Sequence, residues 1–265
     1  MAPTWSTQRE ICTVPNPVMF GILLTSILQV EGAMTQKEQV IEALEKCGGY
    51  ATFSELNQKV DTSSWGTKTA AASIRRIVQQ DSKMFYRIVP GQWGLVSMRK
   101  KIESMGASGR SAEYTHGYYQ GLLVEIGNAS NYKTYVPPQD KNRLYAHRTL
   151  GAIITQPIIC DFTHQKIMRK AKTVDTIWFN SREMPHAFFE VEHTTDIQNS
   201  LDKFYELQDF NAKFRIVSAP GNLQRFNDLM SYSRYDSIRG MVSFYDYEKL
   251  VRLHRLKMEE TEVAI

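Results

Sequence analysis

The stretch Phe188-Phe189-Glu190-Val191-Glu192-His193 constrains this chain more than any other. It is apolar enough for a buried strand, yet it carries two carboxylates two residues apart. Alternate side chains of a strand share a face, so Glu190 and Glu192 point one way while Phe189 and Val191 point into the opposite layer. Upstream, Val174-Asp175-Thr176-Ile177-Trp178-Phe179 is a second strand-like run with one acid. Three carboxylates on two neighbouring strands raise one another's pKa and are costly to hold together. A hard divalent cation with oxygen ligands relieves that cost. The spacing alone is equally compatible with acids scattered along solvated strand edges.

The distribution of charge adds a second constraint. The 265 residues carry a net charge of +4, which says little by itself. Residues 34–110, however, hold 12 Lys/Arg against 7 Asp/Glu, whereas residues 111–265 hold 19 of each. A basic N-terminal module beside a neutral C-terminal one suits a polyanion-binding part attached to something else. A solvated charged surface is the competing explanation. The three cysteines, Cys12, Cys47 and Cys160, are far apart and form no Cys-x-x-Cys pair. That argues against a disulfide framework or a zinc knuckle and fits a reducing, cytoplasmic setting.

Residues 1–33 include the apolar run Val18–Val30, 13 residues long and too short for a bilayer, which takes about 20. The run could pass for a signal-peptide core, but no clear positive segment precedes it. It reads as an N-terminal extension, with Met34 as an alternative start, or as a small docking helix. No membrane role is expected.

Residues 34–97 read as one helical module ending in a hairpin. Thr35 and Glu38 make a capping-box pattern, and Val40, Ile41, Leu44 and Cys47 form a helical stripe ended by Gly48-Gly49. Tyr50–Phe53 is a short extended piece, and Ser54 is expected to cap a second helix to Val60. A third helix is expected from about Thr67 to Gln80, and Met84–Val89, Pro90-Gly91 and Gln92–Val96 form a hairpin. Helix, short strand, two helices and hairpin is the order of a winged helix. The glycine-ended first helix, Phe53-Ser54-Glu55-Leu56, the Lys68–Ile77 helix and Gly91-Gln92-Trp93-Gly94-Leu95 resemble the HARE-HTH group of winged-helix modules. On that helix Lys68, Arg75 and Gln79 share an outer face with Arg76 beside them, a surface suited to phosphates and base edges. Arg87 and Gln92 in the hairpin are further candidates for DNA contact. A solvated face on a protein-interaction module is the competing reading, since fold does not fix function.

Residues 98–112 are basic and rich in small residues, a linker composition. Residues 113–265 then read as a further domain. A helix over 113–128 has the stripe Tyr118, Tyr119, Leu122, Leu123 and Ile126, with His116, Gln120 and Glu125 as polar groups near it. Strands are expected at Tyr132–Val136, around Ile158–Phe162, at Asp175 and at Glu190/Glu192. A helix capped by Thr194 or Thr195 follows, then a strand at Phe214–Val217, a helix near Asn222–Tyr232, a strand at Met241–Phe244 and a helix from Tyr247. The expected fold class is α+β: a winged helix followed by an α/β layer with a mixed central sheet.

This order, with Asp175 on one strand and Glu190-Val191-Glu192 on the next, resembles the PD-(D/E)XK nuclease superfamily over roughly residues 113–235. The resemblance implies a restriction-endonuclease-like fold in which Asp175 and Glu190 bind Mg²⁺. The third position, usually Lys, is Glu192 here. A Glu in the first helix often assists the site, a place to which Gln120 and Glu125 are both candidates. The implied activity is Mg²⁺-dependent cleavage of double-stranded DNA, as in a type II restriction enzyme or a related defence nuclease. Cutting both strands implies a homodimer. A non-catalytic DNA-binding regulator on a degenerate nuclease fold is the alternative, motivated by Glu192. A protein-interaction role without DNA is a third. His193 is expected as a core or supporting histidine, and no motif for a nucleotide cofactor, a Ser hydrolase or a zinc protease occurs.

Overall fold

Local capping sets the first elements of the computed structural model, which describes residues 34–109, 112–193 and 196–263. The apolar run at 18–30 and the proposed caps Thr194 and Thr195 lie outside the described residues. Thr35 starts α1 (Gln36–Lys46): its hydroxyl accepts from the Glu38 N–H, and the Glu38 carboxylate accepts from the Thr35 N–H at 2.8 Å. The same device recurs at α2 (Phe53–Lys59), where Thr52, not Ser54, is the cap and Glu55 returns the bond. Thr52 ends β1 (Tyr50–Thr52), so strand and helix meet with no loop between them. The third helix, α3 (Ala70–Gln80), starts later than its polar lead-in suggests, and its N-cap Thr69 makes no side-chain hydrogen bond. The hairpin β2 (Phe85–Val89) and β3 (Gln92–Leu95) joins β1 in an antiparallel sheet ordered β1-β3-β2. Leu44, Leu56, Ile74, Val78 and Phe85 fill the core under it.

The stretch read as a linker is partly folded. It carries α4 (Arg99–Ser104), whose Ile102 is buried with Tyr50, Ala107 and Tyr114. Next come α5 (Ala112–Ala129), β4 (Lys133–Tyr135) and a two-stranded ribbon of β5 (Leu144–Tyr145) and β6 (Arg148–Thr149). No strand forms over 158–162. Gln156 N–H bonds the Thr134 carbonyl on β4 at 2.8 Å, and after Pro157 the chain leaves the sheet with Ile158 exposed. The chain instead forms α6 (Gln165–Ala171).

Then follow β7 (Thr176–Phe179), β8 (Pro185–Glu192), α7 (Ile197–Glu206), β9 (Lys213–Ser218), α8 (Leu223–Met230), β10 (Val242–Asp246) and α9 (Tyr247–Val263). The five-stranded sheet has the order β10-β9-β8-β7-β4. It is mixed, as expected: β4, β7 and β8 run antiparallel, and β8, β9 and β10 run parallel. Alternation along β8 sends Phe188 into one core with α6, α7 and α8. Phe189 and Val191 enter a second core with α5 and α9. The sheet is thus buried on both faces, which is why its central strands read as apolar runs. No helix among the described residues is long and apolar enough to cross a membrane.

Residues 34–265 form one compact unit. The tip of the β2–β3 hairpin is packed against α5 and α9. Tyr118 OH donates to the Pro90 carbonyl at 2.9 Å, and Tyr114 OH donates to Gln92 Oε1 at 2.7 Å. Gly91 has φ +86°, and a Cβ there would sit 2.8 Å from Val251 and 2.9 Å from the Tyr118 hydroxyl. Only glycine satisfies both the turn and the close approach. Gly91→Ala is therefore expected to cost about 2 kcal/mol through strain and overpacking. A lower urea midpoint with an unchanged m-value is the confirming observation.

Candidate active site

The antiparallel register of β7 and β8 pairs Thr176 with Phe189 and Ile177 with Phe188. One step further, Asp175 stands across from Glu190. The two candidate ligands are therefore at the same end of the same strand pair. Asp175 Oδ2 accepts the Val191 N–H at 2.8 Å, which ties its side chain to β8. Glu190 is only 2% exposed. A carboxylate so buried needs a counter-charge, and Lys203, on α7, supplies it: Nζ lies 2.9 Å from Oε1 and 2.7 Å from Oε2. Ser200, one turn earlier on α7, donates toward Glu190 Oε2 at 3.2 Å and also touches Glu192 Oε1. Glu190 and Glu192 thus share Ser200, and Asp175 stands across from Glu190, near enough for their charges to interact.

Electrostatics differ among the three acids. Burial pushes the Glu190 carboxyl well above the usual range and the Asp175 charge adds to this, with Lys203 only partly offsetting them. Burial also raises Glu192, against the hydrogen bond from Ser200. Asp175 is the opposite case. Burial disfavours its charge, but the neighbouring His116 ring, the Val191 N–H and the Lys203 charge outweigh burial and hold it below the ordinary carboxylate range. Lys203 is raised: burial opposes its charge, and Glu190 more than compensates.

A second group of side chains reaches Asp175 from α5. His116 and Gln120 are four residues apart and so share one face of that helix. His116 Nε2 stands 3.4 Å from Asp175 Oδ2, close enough for attraction but not aligned as a hydrogen bond. Gln120 is fully buried, and its Nε2 donates to the Asp175 carbonyl and to Asp140 Oδ2, both at 2.8 Å. Asp140 is itself 2% exposed and takes Arg143 Nε on its other oxygen at 2.8 Å. His193 lies against His116, with ring centroids 5.6 Å apart, and contacts the Tyr247 hydroxyl through Nδ1. Burial, reinforced by His116, pulls the His193 pKa down to about 4, so it is neutral at pH 7. It is a supporting histidine beside the acids.

Of the two first-helix candidates, Gln120 joins the acids and Glu125 does not. Five residues turn a helix by about 500°, which puts Glu125 on a different side of α5. Glu125 instead accepts from Tyr145 OH at 2.7 Å, His254 Nε2 at 2.7 Å and Arg148 at 2.6 Å. Burial would raise its pKa, but these partners outweigh burial and lower it. It ties α5 to α9 and the β5–β6 ribbon.

The sequence-expected DNA face is divided. Lys68, Arg76 and Gln79 are exposed. Arg75 is turned toward α9, where it pairs with Glu259 at 3.4 Å and lies over the Phe53 ring. Arg87 is exposed but paired with Glu248. Gln92 does not reach a DNA-facing surface: it is fully buried under Tyr114, because the hairpin tip is packed against α5.

Comparison with known families matches residues 97–262 to the type II restriction enzyme NmeDI C-terminal domain. The match covers more than half of the chain. The chain belongs to this restriction-enzyme family. No curated protein and no solved structure gave a match. The family's segment contains every member of the acid cluster, from His116 and Gln120 through Asp140 and Asp175 to Glu190, Glu192 and Lys203. Lys68, Arg76 and Gln79 fall outside it.

Asp140, Ser200 and Lys203 were missed in the sequence. Ser200 falls inside the buried stripe Ile197, Leu201 and Phe204 and reads as a small filler in it, while Lys203 flanks that stripe and reads as a solvated position. The only signal was proximity to β8 in the chain. Lys203→Met is expected to leave Glu190 buried without its cation and to cost about 3 kcal/mol at pH 8. A carboxyl whose folded pKa lies above its unfolded value favours the folded state at low pH, and that contribution is lost as pH rises through the folded value. The variant's deficit in urea unfolding is therefore expected to shrink at pH 5.

Proposed function

We propose that the chain is a Mg²⁺-dependent endonuclease that hydrolyses phosphodiester bonds in double-stranded DNA, with a site of the PD-(D/E)XK kind. The observation that carries this reading is the placement of Asp175 across from Glu190 at one end of β7 and β8, with Glu192 joined to Glu190 through Ser200 and a lysine entering from α7. Carboxylate oxygens on neighbouring strands are donors suited to a hard cation. Asp175 and Glu190 would hold Mg²⁺, which when bound acidifies a water and neutralises charge on the scissile phosphate. Lys203 has a positioning role: its ammonium favours the anionic form of Glu190 and fixes its rotamer. Glu192, with its raised pKa, is a better proton acceptor for an attacking water than an ordinary carboxylate. The lysine absent from the strand position of Glu192 has a counterpart in Lys203, brought to the same acids by the following helix.

Residues 34–97 act in this reading as a winged helix with α3 as the DNA-facing element. The face that remains open is Lys68, Arg76 and Gln79. Cleavage of both strands calls for two copies of the site, hence a homodimer. One observation favours the second reading, a DNA-binding regulator without cleavage: Lys203 already neutralises Glu190, so the acids are not bare.

Glu190→Ala is expected to lower Mg²⁺-dependent plasmid cleavage by on the order of 10³-fold while leaving DNA retention intact. Cleavage unchanged in the variant overturns the site, and no cleavage by the parent in Mg²⁺ or Mn²⁺ selects the regulator. Arg76→Ala is expected to weaken DNA binding evenly across sequences and to reduce the slope of log K against log salt by about one. A slope equal to the parent's removes α3 from the interface.

A further inference from the structure

His116, Asp140 and Asp175 each offer a ligand atom, and these atoms lie within 4.8 Å of one another. They come from three different elements: α5, the turn over Pro138–Asp140 and the residue before β7. Only the fold brings them together. Asp140 is 2% exposed and the side chains of His116 and Asp175 are 18% and 13% exposed, so the cluster is largely withdrawn from water.

The polar groups around it are incompletely satisfied. Gln120 is fully buried with its carboxamide wedged between Asp140 and Asp175, and its Oε1 has no hydrogen-bond partner. His116 Nε2 likewise lacks one. A buried carbonyl oxygen without a donor costs about 1–3 kcal/mol. The two carboxylates beside it already have donors, Arg143 and Gln120 on Asp140 and the Val191 N–H on Asp175, so the unmet groups are Gln120 Oε1 and His116 Nε2. A cation with its bound water supplies what each of these groups lacks.

We propose that His116, Asp140 and Asp175 form a binding site for a divalent transition-metal ion, separate from the Glu190–Glu192 corner and sharing only Asp175 with it. One imidazole nitrogen and two carboxylates make a mixed donor set. Imidazole suits ions of the Mn²⁺, Co²⁺ and Zn²⁺ series, whereas Mg²⁺ and Ca²⁺ favour oxygen alone. The site therefore takes a transition ion in preference to Mg²⁺. Gln120 is a positioning residue, since it holds Asp140 against the start of β7. Binding here does not depend on the nuclease reading, because none of its consequences requires DNA to be cut.

The test uses the whole chain. Mn²⁺ added to the parent protein is examined by pulsed electron paramagnetic resonance for coupling to an imidazole nitrogen, and Co²⁺ affinity is followed by its visible absorption. The expected result is nitrogen coupling, with Co²⁺ retained against a large excess of Mg²⁺. His116→Ala and Asp140→Asn are expected to lose at least about tenfold in Co²⁺ affinity, and Glu190→Gln is expected to retain it. Absence of nitrogen coupling in the parent overturns the proposal without need of any variant. So does equal displacement of Co²⁺ by Mg²⁺, or a loss in Glu190→Gln as large as in His116→Ala. Failure of DNA cleavage with nitrogen coupling present counts against the nuclease reading alone.

Discussion

The register between β7 and β8 is the constraint on which this molecule's chemistry rests. With Thr176 opposite Phe189, Asp175 falls across from Glu190, and the Val191 N–H closes onto Asp175 Oδ2. A slip of one residue would turn Glu190 toward the other face and place a phenylalanine among the acids. The register is held by burial on both faces. Phe188 stacks on Phe214 in one core, and Phe189 packs on Trp178 in the other. The apolar residues that make the sheet stable are the same ones that position the carboxylates.

Charge compensation then decides how the acids are used. Glu190 is tolerated in the interior because Lys203 reaches it from α7 with both oxygens in range. Replacing such a pair with apolar groups often improves stability, so its retention is a reason to look for function rather than for strength. Asp175 is served from both sides of the sheet, by the Val191 amide and the Lys203 charge on one hand and by His116 on α5 on the other. The result is one ionised acid beside two whose protonation is favoured. That is the division of labour an acid–base site needs.

The N-terminal module is joined to this centre through its hairpin. Gly91, Tyr118 and Val251 meet at the hairpin tip, and the Tyr114–Gln92 bond lies beside them. The paired strands that would form a free wing on an isolated module are therefore partly spent on α5 and α9. This explains why Gln92 is buried and why Arg75 and Arg87 are paired with acids of α9. The exposed cations and amide that remain are Lys68, which precedes α3, and Arg76 and Gln79 on it. α5 is common to both halves: its first turns touch the hairpin, and His116 and Gln120 touch the acids.

Much of this was legible in the chain. Period-two alternation in 188–192 and the helical stripe of α5 are local patterns, and the mixed α/β order follows from them because each apolar face must be covered. The pairing of Asp175 with Glu190 was legible for the same reason. Glu125 and Gln120 could not be told apart by spacing, since which side of α5 faces the sheet depends on α9. The strand expected over 158–162 does not form: the chain leaves β4 after Gln156 and Ile158 is exposed. Asp140, Ser200 and Lys203 were missed, for their roles come from contacts between separate elements of the chain. Sequence alone settled most of the strands and helices, with α4, α6 and the β5–β6 ribbon as exceptions, because those depend on neighbours a few residues away. Tertiary packing alone decided which cation meets which acid and which surface stays open, because those depend on distances between segments that no local pattern records.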